Sequence, residues 1–275
     1  MKTVRRTIRV LTYPILKGLR PGNIVMYHLG RCGSTVLGQL LSKTKGVYWH
    51  GEVYNRIFKN LAEGYTTESV RNKYIKGYAP DPIDQLKGWM KLAGYHYYGF
   101  EIKPFHNKLM NIPLKEYIDS IEKLGFNYFI ILDRRNRLRK IISSIIAHKH
   151  PNKWHIKREL DNKPVKLKID CNKVVIDFDS KPLIEYLKDY DQQFEVLGEL
   201  LKNKTNYLKL YYEDDIQEDP QKAYINVCNY LNISHLELNT SLKRTNPFKI
   251  ETMVENFKEL ESYLKNTPYE WMLYD

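Results

Sequence analysis

Apolar and polar positions along the chain fall into two recurring patterns. Short runs in which most residues are apolar occur at Ile24–His28, Tyr97–Ile102, Phe126–Leu132 and Tyr207–Tyr211, with a shorter one at Val47–Trp49. Such runs suit strands buried on both faces. Other stretches carry apolar residues three and four apart: Ser34–Lys43, Asn55–Leu61, Glu68–Lys76, Ile83–Leu92, Leu114–Leu124, Arg137–His148, Leu183–Lys202, Pro220–Leu231 and Ile250–Leu264. That spacing lays one apolar stripe along a helix. Strands separated by helix-length segments predict an α/β fold of three layers, a mainly parallel central sheet flanked by helices. "VKLKID" and "KVVIDF", joined by "CN", alternate with period two. They predict a hairpin inserted at about residues 160–180, after the Arg137 helix. The chain shows no Gly/Ser linker and no repeat of solenoid period, so 1–275 reads as a single domain with 1–22 as an N-terminal extension.

Composition narrows the class. Of 275 residues, 43% are hydrophobic, enough for a sizeable core. The net charge of +12 points to an anionic partner such as a nucleotide, a nucleic acid, a membrane surface or a sulfated product. Three widely spaced cysteines form neither a disulfide framework nor a zinc spacing, and fit a reducing compartment. The apolar runs are too short to span a membrane. The basic first 22 residues lack the apolar core of a signal peptide and read as a packed extension or an amphipathic surface arm. A cytoplasmic protein without an integral membrane segment is expected, and a homo-oligomer is compatible with the sequence.

Candidate chemistry begins after the first strand, in "HLGRCGSTVL". Gly30 and Gly33 allow a sharp turn, and Ser34 is placed to cap the next helix. Helix N–H groups then point at the turn, which makes it an anion site. Arg31 adds a charged fork, and Ser34 and Thr35 add hydroxyls. The triphosphate motif G-x-x-x-x-G-K-[ST] is not satisfied, because Cys32 and Gly33 precede Ser34 where Gly-Lys is required. A second constellation follows the strand "FIILD". Arg135 lies at the strand's carboxyl end, where open α/β sheets bind ligands, and Ser143 lies about two helical turns on. Arg137, Arg139 and Lys140 read as a solvated basic face. Alternatives from other classes are a P-loop kinase-like nucleotide enzyme, with Asp133 holding magnesium, and a nucleic-acid-binding protein. The latter lacks a recognised motif, so no nucleic-acid partner is expected.

These two motifs, in this order, resemble those of sulfotransferases that use 3′-phosphoadenosine 5′-phosphosulfate (PAPS). "RCGSTVLGQLL" resembles the 5′-phosphosulfate loop, "RRNRLRKIISS" the 3′-phosphate motif, and "LYYEDDIQEDPQKAYINVCNYLNI" a segment that follows in the same family. The similarity is greatest to the bacterial trehalose-sulfotransferase type, whose double Arg, Ser and following Trp-His recur as Arg134, Arg135, Ser143, Trp154 and His155. The tail from Ser241 also resembles bacterial sulfotransferase tails. The resemblance implies a P-loop-like fold and sulfuryl transfer from PAPS to a hydroxyl or amine, releasing 3′,5′-adenosine bisphosphate (PAP). It implies cofactor contacts from Arg31, Cys32, Gly33, Ser34, Thr35, Val36, Arg135, Ser143, Tyr212 and Arg244. The acceptor would be a small polar molecule or carbohydrate; a secondary metabolite such as an alkaloid, sulfated at O or N, is the alternative.

Such a transfer needs a base and charge stabilisation. Two bases are open. Glu52, in "YWHGEVYN", lies where the bacterial type carries a catalytic Glu. His106, in "EIKPFHNKL", follows Lys103 with the spacing Lys-x-x-His, against Lys-x-His in cytosolic sulfotransferases. Lys103 and Arg31 would stabilise the sulfuryl group. Glu52, His106, Trp154, His155 and the inserted hairpin would border the acceptor. No H-E-x-x-H, C-x-x-C or carboxylate cluster appears in the sequence, and no metal is expected.

Overall fold

The structure, a computed structural model, describes residues 2–55, 81–149, 164–176, 179–202, 204, 207–240, 242 and 247–274. Side chains of 2–6, 13, 16, 17 and 149 are excepted. The sheet has five parallel strands in the order β2-β3-β1-β4-β7. They are β1 (Asn23–His28), β2 (Val47–Glu52), β3 (Tyr97–Ile102), β4 (Phe126–Asp133) and β7 (Tyr207–Tyr211). β1 lies at the centre, paired with β3 on one side and β4 on the other, and all six of its residues are buried. An apolar strand in that position loses no polar surface to either flanking layer.

Alternate residues of the strands feed two cores. Val25, Tyr27, Tyr98, Phe100, Phe129 and Ile131 enter the larger one. It is covered by α3 (Pro82–Met90), α4 (Pro104–Met110), α5 (Leu114–Lys123), α6 (Arg137–Lys149) and α7 (Leu183–Lys202). Ile24, Met26, Ile130 and Leu132 enter the smaller one, beneath α2 (Ser34–Lys43) and α8 (Pro220–Tyr230). Period-two alternation thus separates the helices into two layers. Local signals set several ends. Asp81 caps α3, accepting from Ile83 N and Asp84 N at 2.9 Å, with Pro82 in the first turn. Asp219 caps α8 in the same way through Gln221 N. Gly125, at φ 87°, follows α5.

Several expectations are corrected. Two helices lie outside the expected set: α1 (Lys2–Leu16), within the N-terminal extension, and α4. Val47–Trp49 lengthens to Glu52. The expected hairpin does not form between "VKLKID" and "KVVIDF". β5 (Val174–Ile176) pairs instead with β6 (Asp179–Lys181). Leu167 joins the backbone near Val254: its N–H reaches Met253 O, and Glu255 N reaches its carbonyl, both at 2.9 Å. That ladder also interrupts the expected Ile250–Leu264 helix, leaving α9 (Ile250–Met253) and α10 (Phe257–Leu264). The expected helices at Asn55–Leu61 and Glu68–Lys76 lie outside the described residues, apart from Asn55.

One packing contact ties three elements together. The Trp49 indole of β2 lies over Gly99 of β3 and against Gly38 of α2, and its Nε1–H donates to Glu101 Oε1 at 2.8 Å. A Cβ on Gly99 would fall 2.3 Å from the indole. Gly99→Ala is expected to cost about 1–3 kcal/mol by overpacking. Gly88→Ala, on the exposed side of α3 with open space around it, should gain about 0.5–1 kcal/mol. Urea unfolding of the two variants checks both signs, and equal effects would contradict the packing role of Trp49.

Candidate active site

The loop after β1 is built on three left-handed residues, Gly30 at φ 75°, Arg31 at 57° and Gly33 at 83°. The expected Ser34 cap is not formed. Gly33 is the N-cap, its carbonyl accepting from Val36 N and Leu37 N at 3.1 Å, and no side chain caps α2. Ser34 is buried in the first turn instead. A side chain at Gly33 would strike Ile216 at 2.6 Å, so the loop lies tight against the turn after β7. His28 holds the other side of the loop: its Nδ1 accepts from Gly30 N at 3.0 Å.

The Arg31 Nε donates to Ser143 Oγ at 2.9 Å, joining the loop to α6. The two motifs singled out in the sequence therefore meet. Their expected partner Arg135 does not join them. It is exposed, forks onto Asp214 (Nη1–Oδ1 2.8 Å), and lies 4.0 Å over the Tyr211 ring. The inward residue is Arg134. It is buried, donates to Arg31 O at 2.7 Å, and lies 4.4 Å over the ring of Tyr212, itself buried beside Gly33. Successive residues leaving a strand point to opposite sides, so one of the Arg134–Arg135 pair must turn out. Burial, and then the charge of Arg134, push the Arg31 pKa below its ordinary value; Cys32, Tyr212 and Glu52 oppose this. A bound anion relieves such like-charge proximity.

Arg137 and Lys140 are not a solvated face. Arg137 is buried and forks onto Asp133, with Nη2–Oδ2 at 3.2 Å, and reaches Asp191. Lys140 is buried and donates to Tyr190 OH at 2.7 Å. Arg139 is half-buried and reaches Phe248 O. Asp133 is thus committed to an internal ion pair.

On the other side of the loop, Glu52 ends β2 opposite Glu101 of β3. Its Oε2 accepts from Lys103 Nζ at 2.7 Å and from Asn55 Nδ2. Asn55 Oδ1 meets His106 Nε2 at 2.9 Å, and His106 Nδ1 accepts from Lys103 N at 3.2 Å. Glu52, Asn55, His106 and Lys103 form a closed ring of hydrogen bonds. His106 is fully buried, behind Asn55 and the backbone of Lys103. Burial, then the charges of Lys103 and His28, hold its pKa well below the usual imidazole value. Neutral, it donates through Nε2 and accepts through Nδ1. The signal for its role was Lys-Pro-x-His, with Pro104 in the first turn of α4 and an acceptor three residues after Lys103. Asn55 and Glu101 went unremarked in the sequence. A charged residue inside the buried run "YYGFEI" was the available sign of Glu101.

His28, Glu52 and Glu101 offer ligand atoms within 4.8 Å of one another, a carboxylate cluster that sequence separation concealed. His28 Nε2 is 3.2 Å from Glu101 and 3.8 Å from Glu52. Burial disfavours a charged His28, but Cys32 and Glu101 outweigh it and carry its pKa up to about 10. The Gly30 N–H on Nδ1 pulls the other way, since a doubly protonated ring would lose that bond. With Nδ1 accepting from Gly30, the neutral ring carries its proton on Nε2, toward Glu101 and Glu52.

Two cavities meet at Lys103. One, of about 410 Å³, is bordered by Arg31, Ser34, Thr35, Trp49, Glu52 and Lys103 among others. The second, of about 160 Å³, lies between α4, the β5–β6 hairpin and α7, with Phe105, Ile176 and Tyr190 in its walls. Trp154, His155 and Arg244 lie outside the described residues.

No protein-family model matches the chain, and no curated protein matches it significantly. Among solved structures, a sulfotransferase from Alicyclobacillus acidocaldarius is similar over 92% of this chain and 94% of its own, with 13% identity and a TM-score of 0.50. A gluconokinase from Sinorhizobium meliloti 1021 covers 77% of this chain and 94% of its own, with 11% identity and a TM-score of 0.35. The first shares the fold: a P-loop-like α/β architecture with a central parallel sheet. The second is too distant to bear on the argument.

The buried neutral His106 has a thermodynamic consequence. An unfolded imidazole titrates near 6.5. Below that pH the unfolded chain gains a proton that the folded ring refuses. Stability is therefore full above about pH 6.5 and falls as the pH drops, by up to about 1.4 kcal/mol per pH unit. His106→Gln, which retains a donor toward Asn55, should lose less stability than the parent between neutral and mildly acid pH. Equal acid sensitivity in urea unfolding would contradict the assignment.

Proposed function

We propose that the protein is a sulfotransferase that moves the sulfuryl group of PAPS to a hydroxyl or amine of a small polar or carbohydrate acceptor. The observation that carries this is that Arg134 donates to the carbonyl of Arg31 while Arg31 donates to Ser143, which gathers two arginines at the first turn of α2. A half-buried double cation at a turn of outward-pointing N–H groups calls for a polyanion. In this reading the loop residues Arg31 to Val36 hold the 5′-phosphosulfate, Ser143 and Arg134 approach the 3′-phosphate, and Tyr212 borders the adenine. Arg135 would contribute only by leaving Asp214. PAPS, when bound, supplies the activated sulfuryl group.

The chain's own residues then divide the work. Glu52 takes the acceptor proton, and Lys103 pairs with its carboxylate. Asn55 and His106 fix its orientation. Lys103, bonded to Glu52 and facing both cavities, is placed to follow charge from the acceptor side to the sulfuryl oxygens. A P-loop kinase would need a carboxylate for its metal near β4, and Asp133 is already forked by Arg137.

The test is incubation with PAPS and a panel of sugars, phenols and amines, read by mass spectrometry. Sulfation of at least one acceptor is expected, and transfer of phosphate from ATP instead would overturn the proposal. Glu52→Gln should slow turnover by about 10²–10⁴-fold with PAP affinity nearly intact. Arg31→Ala should weaken PAP binding by about 1.5–3 kcal/mol and Ser143→Ala by about 0.5–1.5 kcal/mol. Arg134→Ala should exceed Arg135→Ala in effect. The reverse order would return the 3′-phosphate role to Arg135.

A further inference from the structure

α1 presents an apolar stripe to solvent. Ile8, Leu11 and Ile15 recur at helical spacing and Leu19 extends the row into the next turn; they are 54%, 72%, 82% and 71% exposed. One isolated exposed aliphatic needs no explanation, but three in register on one helix face, with a fourth in the next turn, do. The charged residues of this segment are all of one sign. Residues 1–20 contain Lys2, Arg5, Arg6, Arg9, Lys17 and Arg20, and the first acidic residue of the chain is Glu52.

The helix is anchored from its other side. Arg20 donates to Met90 O at 2.7 Å and to Gly94 O at 2.8 Å, and Arg9 reaches Leu92 O. Arg9 within α1 and Arg20 just after it hold the segment against the turn that precedes β3, so the stripe faces away from the domain. Tyr95, beside Gly94, is also half exposed.

We propose that α1 is a peripheral docking helix for an anionic lipid surface. Exposed apolar side chains on a segment whose charged residues are all basic suit the boundary between headgroups and acyl chains. Among the described residues no helix is long and apolar enough to cross a membrane, so α1 would lie in the interface plane. A second copy of the chain is the poorer occupant. It would bring the same all-basic helix against this one, in a protein of net charge +12. An anionic bilayer supplies the complementary charge and the apolar layer together. The placement also suits the loop after β1. α1 packs at the end of the sheet where β1 and β3 begin, and the Gly30–Thr35 loop lies at the opposite end. Six residues of strand, about 20 Å, separate them. A docked molecule would keep that loop turned away from the bilayer. This inference does not depend on the proposed sulfuryl transfer.

The test is sedimentation of the full chain with vesicles of phosphatidylcholine alone and of phosphatidylcholine mixed with phosphatidylglycerol. Binding to the mixed vesicles should exceed binding to the neutral ones by at least about tenfold, and should fall as salt rises from about 0.1 M to about 1 M. L11D/I15D removes the apolar half of the stripe at exposed positions, and R5Q/R6Q removes charge. Each should lower binding by about tenfold or more while the melting temperature holds. The proposal is overturned if the parent does not prefer anionic vesicles, or if both variants bind as the parent does. It is equally overturned if light scattering shows a dimer that L11D/I15D dissolves, because the stripe then belongs to a second copy.

Discussion

Everything at the candidate site depends on how the chain leaves β1. Three left-handed residues in four turn it back over the end of the sheet, and one of them, Arg31, is not glycine. A side chain in that conformation costs about 1–2 kcal/mol. The cost is offset by contacts made on arrival. His28 bonds Gly30, Arg134 bonds the Arg31 carbonyl, and Arg31 itself reaches Ser143. The conformation sends the guanidinium toward α6 and leaves the first-turn N–H groups of α2 uncapped by any side chain. Both consequences favour an anion at one point, and the parallel sheet supplies the remaining residues because its other strands end at the same edge.

That edge divides the chemistry into two halves. Toward β4 and β7 stand the arginines, Ser143 and Tyr212. Toward β2 and β3 stand Glu52, Lys103, Asn55 and His106, with Trp49 and Glu101 behind them. Glu52 and His106 are joined through Asn55 in this arrangement. His106 is sealed in the core, and its neutral ring orients the amide that orients Glu52. The Glu52 carboxylate is thereby left at the cavity wall while His106, which supports it through Asn55, is kept from solvent.

Much of the fold was legible because burial on both faces writes a continuous apolar run. β3 and β7 were placed to the residue, as were α2 and α7. Expectations failed where tertiary contacts overrode local pattern. "VKLKID" alternates as a strand should, but its partner is the backbone near Val254, distant in sequence, so period alone misassigned it. Arg137 and Lys140 looked like solvated cations, since nothing in a helix-spaced basic run marks which residues meet Asp133 or Tyr190. At the site, the loop and Ser143 could be read from motif order. The choice between Arg134 and Arg135 could not, because it depends on which way the chain twists after Asp133.

The most direct measurement is calorimetric titration of the protein with PAP and, separately, with magnesium ATP. Two arginines around an uncapped helix turn, with no loop lysine and with Asp133 committed to Arg137, predict PAP binding at least about tenfold tighter than ATP. That preference should collapse in Arg31→Ala. Tighter binding of magnesium ATP, or PAP binding that is indifferent to Arg31, would contradict the central claim that this loop is built for the bisphosphate.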